Sequence, residues 1–135
     1  MSALTPGTMR LVAALSSATG APVFEASTSL VTPSVANLRE HFAQKAKRAS
    51  AHRKAGYLLT AKLGALNGRR LLVVLTRIAP RAVDDDNLAS LLKNLRDGVA
   101  DRLGIDDRSE AVVWHVQQEK GDAAVRVSVW RLGDA

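Results

Sequence analysis

The sequence contains no cysteine, few aromatic residues and no long apolar run. Without cysteine in 135 residues, disulfides, thiolate catalysis and cysteine-ligated zinc are excluded, and we expect a cytoplasmic protein in a reducing compartment. No apolar stretch approaches the ~20 residues that cross a bilayer, so we expect no membrane partner. Aromatic residues make up only 4% of the chain, so we expect any nucleic acid to be recognised through its backbone and shape.

Positive charge exceeds negative charge in this chain. Nineteen Lys and Arg residues and thirteen Asp and Glu residues give a formal net charge of +6 and a pI near 10.3. This balance points to an acidic partner, with nucleic acid as the first candidate, whereas the alternative is a surface that only keeps the protein soluble. The excess is concentrated in six basic residues between positions 39 and 54, beside one Glu: Arg39, Lys45, Lys47, Arg48, Arg53 and Lys54. We predict a DNA-binding helix face there, the alternative being a solvated one.

Hydrophobic periodicity predicts an α/β (α+β) fold: a small single domain with a mixed β-sheet and two main helices, in the order β-α-β-α-β-β. Residues 1–22 are predicted to be an irregular N-terminal lead-in, and residues 23–135 to form the domain. The predicted elements are a strand over 23–31, a helix over 35–66 that Gly56 bends or divides, a buried central strand over 70–79, a helix over 87–103 stopped by Gly104, and two strands around Gly121-Asp122 that form a closing hairpin.

Three consecutive aspartates, Asp84 to Asp86, precede Asn87 between the central strand and the second helix. The simplest interpretation is a helix N-terminus, where Asp and Asn are favoured caps and negative charge is stabilised. In an extended segment, however, Asp84 and Asp86 point to the same side about 6.6 Å apart while Asp85 points away. Paired carboxylates without His or Cys suit a hard ion, Mg²⁺, with Mn²⁺ as a substitute.

A second acidic group, Asp106-Asp107, follows Gly104. It can reach the first group only if the chain turns back after Gly104 and its next strand lies beside residues 70–79. Between the two groups, Lys93 and Asp97 form an i,i+4 pair on the polar side of the helix. The pair is either a solvated ion pair worth about 0.3–0.5 kcal/mol or a lysine placed near a phosphate, and spacing alone leaves both open.

The order and spacing of four stretches resemble the RusA family of Holliday-junction resolvases, especially its phage-borne relatives. "TPSVANLREHFAQKAKRASAHR" (32–53) is similar to that family's Pro-x-x-x-Asn start and basic helix, and "RIAPRAVDDDNL" (77–88) to its Asp-x-Asp-Asn signature. "KNLRDGVADRLG" (93–104) is similar to its Lys-x-x-x-Asp helix, and "IDDRSEAVV" (105–113) to its distal Asp-Asp before a strand. Together the four stretches and the strands around them cover about residues 24–130.

The resemblance implies a Mg²⁺-dependent, structure-selective endodeoxyribonuclease of the crossover-junction type. Such an enzyme is a homodimer that resolves branched DNA in recombination and repair, and the resemblance points to phage or prophage origin. No organic cofactor is implied. The implied metal ligands are Asp84, Asp86 and Asp107, with Asp106 beside the last, and Lys93 completes the catalytic set. Lys93 lies six residues after Asn87, about one helical turn farther than in the best-known resolvase, which keeps it on roughly the same face.

The resemblance and the charge pattern together give a predicted DNA-binding set. It consists of Asn37, Arg39, Lys45, Lys47, Arg48, Arg53, Lys54 and Asn87. One alternative is a catalytically inactive DNA-binding protein of the same fold, in which the aspartates only cap a helix. Another is a metal-binding regulator or assembly subunit that does not act on DNA.

Overall fold

The structure is a computed structural model that describes residues 20–32, 42–66, 70–106 and 109–132. Most of the predicted lead-in, together with Asn37, Arg39 and Asp107, lies outside the described residues. The elements are β1 (Phe24–Thr28), α1 (Phe42–Leu59), a 3₁₀ helix (Ala61–Leu66), β2 (Leu71–Ala79), α2 (Asp85–Leu103), β3 (Val112–Lys120) and β4 (Ala124–Arg131). The predicted order and fold class are confirmed. No helix within these ranges is both long and apolar enough to span a membrane.

The four strands form one mixed sheet in the order β1-β4-β2-β3. β2 is parallel to β3 and antiparallel to β4, and β1 is antiparallel to β4. The predicted closing hairpin is therefore wrong, because β2 lies between the two strands that follow one another in the chain. Burial explains this arrangement, because Leu71 to Leu75 are at most 4% exposed. A central position gives so apolar a strand hydrogen-bonded neighbours along both edges, and the side chains of these neighbours surround its own side chains on both faces of the sheet.

The helices cover one face of the sheet. Val73 and Leu75 of β2 pack there against the apolar stripe of α2, which consists of Leu88, Leu92, Leu95, Val99 and Leu103. These α2 residues have the helical spacing that predicted the element, and Gly104 ends it as expected, with φ 67°. A smaller cluster of Leu72, Val74 and Val113 lies on the opposite face beside Trp130.

The two helices touch backbone to backbone at two glycines. A Cβ atom added at Gly56 would collide with the carbonyl oxygen of Leu95, and one added at Gly98 with the carbonyl oxygen of Arg53. The predicted bend or division at Gly56 is therefore wrong, since α1 runs unbroken through this position. The missing side chain allows close approach of α2 instead of interrupting the helix.

Candidate functional site

The acidic run forms the exposed N-terminus of α2. Asp84 is the N-cap, with φ −70° and ψ 166°. Its Oδ1 accepts a hydrogen bond from the Asn87 backbone N–H at 2.9 Å, and its Oδ2 accepts one from the Asn87 side-chain amide at 3.2 Å. Asp85 and Asp86 are the first helical residues. The extended arrangement expected for Asp84 to Asp86 is therefore wrong, because successive side chains in a helix are about 100° apart and Asp85 does not point opposite to Asp86.

The segment that leads into these aspartates is held by two side chains of the sheet. Gln118 of β3 pairs with the Val83 backbone as a strand would: its Oε1 accepts from the Val83 N–H at 3.0 Å, and its Nε2 donates to the Val83 carbonyl at 2.7 Å. Arg77 of β2 donates from Nη1 to the Arg81 carbonyl at 2.8 Å. These contacts fix the direction from which the chain enters α2, and hence where Asp84 lies.

Arg77 also connects this segment to the region before α1. Its Nε donates to Thr32 Oγ1 at 2.9 Å and its Nη2 to the Thr32 carbonyl at 3.2 Å. The residue is only 7% exposed, and burial lowers the pKa of its guanidinium. A guanidinium has enough donors to satisfy both segments at once, which a lysine could not do with the same planar geometry.

Replacing Gln118 tests the hold on Val83. We expect Gln118→Leu to lower the free energy of unfolding by about 1–3 kcal/mol, because a half-buried backbone N–H and C=O both lose their partner. Gln118→Glu should cost less, since its carboxylate still accepts from the N–H although it cannot donate to the carbonyl. Urea denaturation followed by circular dichroism measures both variants. Equal stability of Gln118→Leu and the wild type would contradict the role given to this side chain.

Asp106, the described member of the distal acidic group, does not come near the first acidic group within a single chain. β3 does lie beside β2, as a shared site requires, but the strands are parallel, with Val112 opposite Leu71. The chain before β3 therefore meets the start of β2, whereas Asp84 follows the end of β2. Asp106 and Ser109, which flank Asp107 in sequence, lie beyond the C-terminal end of α2, and this 19-residue helix is about 28 Å long. The described ranges contain no group of three acidic or His side chains that converge on an ion.

Lys93 and Asp97 lie midway along α2, with Lys93 Nζ 3.3 Å from Asp97 Oδ2. The lysine side chain is 71% exposed, so little of its charge is committed to this contact. Asp86 and Lys93 are seven residues apart, which places them on the same face of the helix about 10 Å apart along its axis. The acidic N-terminus and the helix lysine therefore share one exposed surface.

The basic surface lies on α1. Lys45, Lys47 and Lys54 are exposed, Arg48 is half-buried, and the described helix contains no acidic residue. Arg53 differs from the other predicted DNA contacts, because its Nε and Nη2 bind the Asp101 carboxylate at 2.6 and 2.8 Å. This pairing raises the pKa of Arg53 and lowers the pKa of Asp101. Arg53 therefore serves first as a link between the helices.

The sequence did not reveal four residues that shape this region. Gln118 and Arg77 position the acidic segment, and Arg96 stacks on Trp114 with its guanidinium carbon 4.8 Å from the ring centroid. The polar Arg77 near the end of an otherwise apolar strand was the one available signal. The remaining two contacts, of Gln118 with the Val83 backbone and of Arg96 with Trp114, join residues of different parts of the chain, and no local pattern marks them.

Comparisons with known proteins show no family. No protein-family model matches the sequence, and no curated protein matches it. Among solved structures, the chain is similar to the crystal structure of thiamine-monophosphate kinase from Stenotrophomonas maltophilia K279a, with 15% identity and a TM-score of 0.35. The match covers 82% of this chain and 31% of the kinase, so this chain spans about a third of that protein. A likeness this weak carries no argument about activity.

Proposed function

We propose that this protein is a Mg²⁺-dependent endonuclease that cuts branched DNA, with the four-way junction as its substrate. One observation carries the proposal: exposed carboxylates begin α2, and one of them, Asp86, lies on the same helix face as the exposed Lys93, in a chain whose helix α1 carries several basic residues and, over its described length, no acidic one. Such a combination suits an anionic substrate that is recruited by Lys and Arg and handled at a carboxylate site. We infer that it works in the cytoplasm, where its DNA lies.

The donor set fits Mg²⁺ in type. Carboxylate oxygens are the ligands a hard cation prefers, and Asp84 keeps lone pairs beyond the two used by Asn87. A bound Mg²⁺ would make an attacking water more acidic and neutralise charge on the phosphate. Asp84 and Asp86 would hold the ion at the end of α2, and Lys93 would neutralise a phosphate further along the same face. Asn87 keeps Asp84 oriented through its two hydrogen bonds.

The geometry also supports a homodimer. Asp106, the described member of the distal acidic group, is separated from the first group by the length of α2, so a site that uses both ends of the helix is built with a second copy whose helix is antiparallel to the first. A two-fold axis across α2 would create two equivalent sites of this kind. Two sites in fixed relation are what paired cuts in a four-way junction need. The partners are therefore branched DNA and a second copy of this chain.

A catalytically inactive DNA-binding protein of the same fold is the second candidate. The observation that favours it is the capping role of Asp84, whose two oxygens both bind Asn87 and which has a structural purpose without any metal. In that case the negative charge of Asp85 and Asp86 only complements the helix dipole.

Cleavage of a synthetic four-way junction separates the two candidates. We expect the protein to nick the junction near its crossover in the presence of Mg²⁺, and to leave it intact in EDTA. A linear duplex of the same arm sequence is the substrate control. Tight junction binding without any Mg²⁺-dependent nicking would favour the inactive binding protein.

Charge reversal on α1 tests the DNA surface. If Lys45 and Lys47 contact phosphates, replacing both with Glu should weaken binding to all DNA sequences alike. The slope of log affinity against log salt concentration should also shrink by about 0.9 for each lost duplex contact. Fluorescence anisotropy across a salt series measures both quantities. Lys62→Glu, an exposed residue in the 3₁₀ helix beyond α1, is the control, and an unchanged slope in the double variant would place the DNA elsewhere.

A further inference from the structure

A cavity of about 370 Å³ lies between α2 and the edge strand β3. Its lining from α2 includes Lys93, Arg96 and Asp97, and its lining from β3 is Trp114 and Val116. A space of this size lies within the range of small-molecule sites, which are mostly apolar with a few placed polar groups. Two cations against one carboxylate make it suitable for an anionic ligand.

The cavity continues the face that carries the acidic N-terminus. Ala89 and Ser90 form its lip, one helical turn after Asp86. A DNA strand whose phosphate lies at Asp86 would therefore have its neighbouring nucleotide beside the cavity. β3 lies at the edge of the sheet, so within the described part of the chain no further strand covers this opening.

Trp114 and Arg96 give the cavity a stacking surface. The Trp114 indole packs on the core below, and the Arg96 guanidinium lies over its ring. Unpaired bases stack on aromatic rings and on guanidinium planes, so this surface suits a base released from a duplex.

We propose that this cavity receives an unpaired nucleotide of branched DNA, a proposal that rests on the proposed function. The base stacks on the Arg96–Trp114 pair, and its phosphate contacts Lys93. A paired base in a duplex cannot enter, because it is stacked on both sides and bonded to its partner. The cavity would therefore add affinity only where a branch point releases a base, which makes it a source of preference for branches over linear DNA.

A double-mutant cycle tests this proposal, in which bases are removed from the DNA and side chains of the cavity are replaced in the protein. Affinity is measured in Ca²⁺, without cutting, for an intact four-way junction and for one with abasic sites at the nucleotides that border the crossover. The wild type should lose affinity on the order of tenfold when those bases are removed. Arg96→Gln and Trp114→Phe should bind the intact junction more weakly and show a smaller penalty for base removal.

Arg102→Gln is the matched control. Arg102 is on the same helix and its guanidinium carbon lies 3.7 Å from the centroid of the Tyr57 ring, but it does not line the cavity. This variant should keep the full penalty for base removal. An equal penalty in wild type and Arg96→Gln would overturn the nucleotide pocket while leaving the endonuclease proposal intact. Junction binding no tighter than duplex binding would overturn both.

Discussion

Asp86→Asn is expected to reduce Mg²⁺-dependent nicking of a four-way junction by orders of magnitude while leaving the protein folded. Asp86 is exposed in the first turn of α2 and is not the N-cap, so its removal costs only a dipole interaction of about 0.3–1 kcal/mol. It does remove an anionic ligand from the proposed metal site. Binding of the junction in EDTA should persist or tighten, because a carboxylate facing the phosphates has gone. Nicking rates and anisotropy on the same junction measure both effects.

Two comparisons sharpen this result. Glu25→Gln removes the same charge on β1, the edge strand opposite β3, keeps an acceptor for Ser128, and should cut at nearly the wild-type rate. Asp107→Asn should be inactive by itself, but mixing it with Asp86→Asn should restore nicking to about a quarter, since hybrid dimers have one intact site. Wild-type activity in Asp86→Asn would rule out the metal site at α2. Failure of the mixture to recover would rule out a site shared between chains.

Gly98→Ala is expected to lower the free energy of unfolding by about 3 kcal/mol, the upper part of the range for overpacking. Without a steric clash, alanine would raise the free energy of unfolding, because it favours a helix over glycine by about 1 kcal/mol. The sign of the change in stability therefore shows whether the clash is present. The added methyl group would lie 2.9 Å from the Tyr57 backbone nitrogen and would collide with the Arg53 carbonyl. Backbone atoms cannot move aside as a side chain does, so α1 and α2 must separate. Urea denaturation measures the loss.

Gly104→Ala provides the matched control for Gly98→Ala. Gly104 has φ 67° and nothing within 4 Å of an added Cβ, so alanine there suffers only backbone strain, about 1–2 kcal/mol. Gly98→Ala should be the more damaging of the two. If Gly98→Ala is instead more stable than the wild type, the two helices are not in backbone contact.

The sequence predicted the elements better than their arrangement. The continuous apolar run of β2 and the leucine spacing of α2 are local patterns, and each appeared almost where it was expected. The pairing of β3 and β4 was wrong because strand order depends on which strand most needs a central place, a property of the whole sheet. Gly56 shows the same limit. A glycine inside a helical pattern predicts a break, and only the position of the neighbouring helix shows that it allows close packing instead.

The candidate site could be predicted only in part, because local patterns reveal only those residues that lie close together in the sequence. Asp84, Asn87 and Lys93 lie close in sequence, and their relation follows from helical geometry. The distance from Asp84 to Asp106 depends on the direction of β3, which the sequence left open. Arg53 was counted with the DNA contacts because its partner Asp101 is 48 residues away.

The position of β4 between β1 and β2 has a consequence for how the chain folds. β1 has one neighbour in the sheet, and the hydrogen bond from Ser128 to Glu25 joins residues 103 positions apart. Among the described strands, β2 and β3 are consecutive in the chain and pair, but they are parallel and joined through α2, so no local hairpin can form first and guide the others. Proteins dominated by such distant pairings fold in milliseconds to seconds, orders of magnitude more slowly than helical bundles of similar size. Until β4 arrives, β2 has an unpaired apolar edge, and the refolding chain is then most prone to associate with other copies of itself.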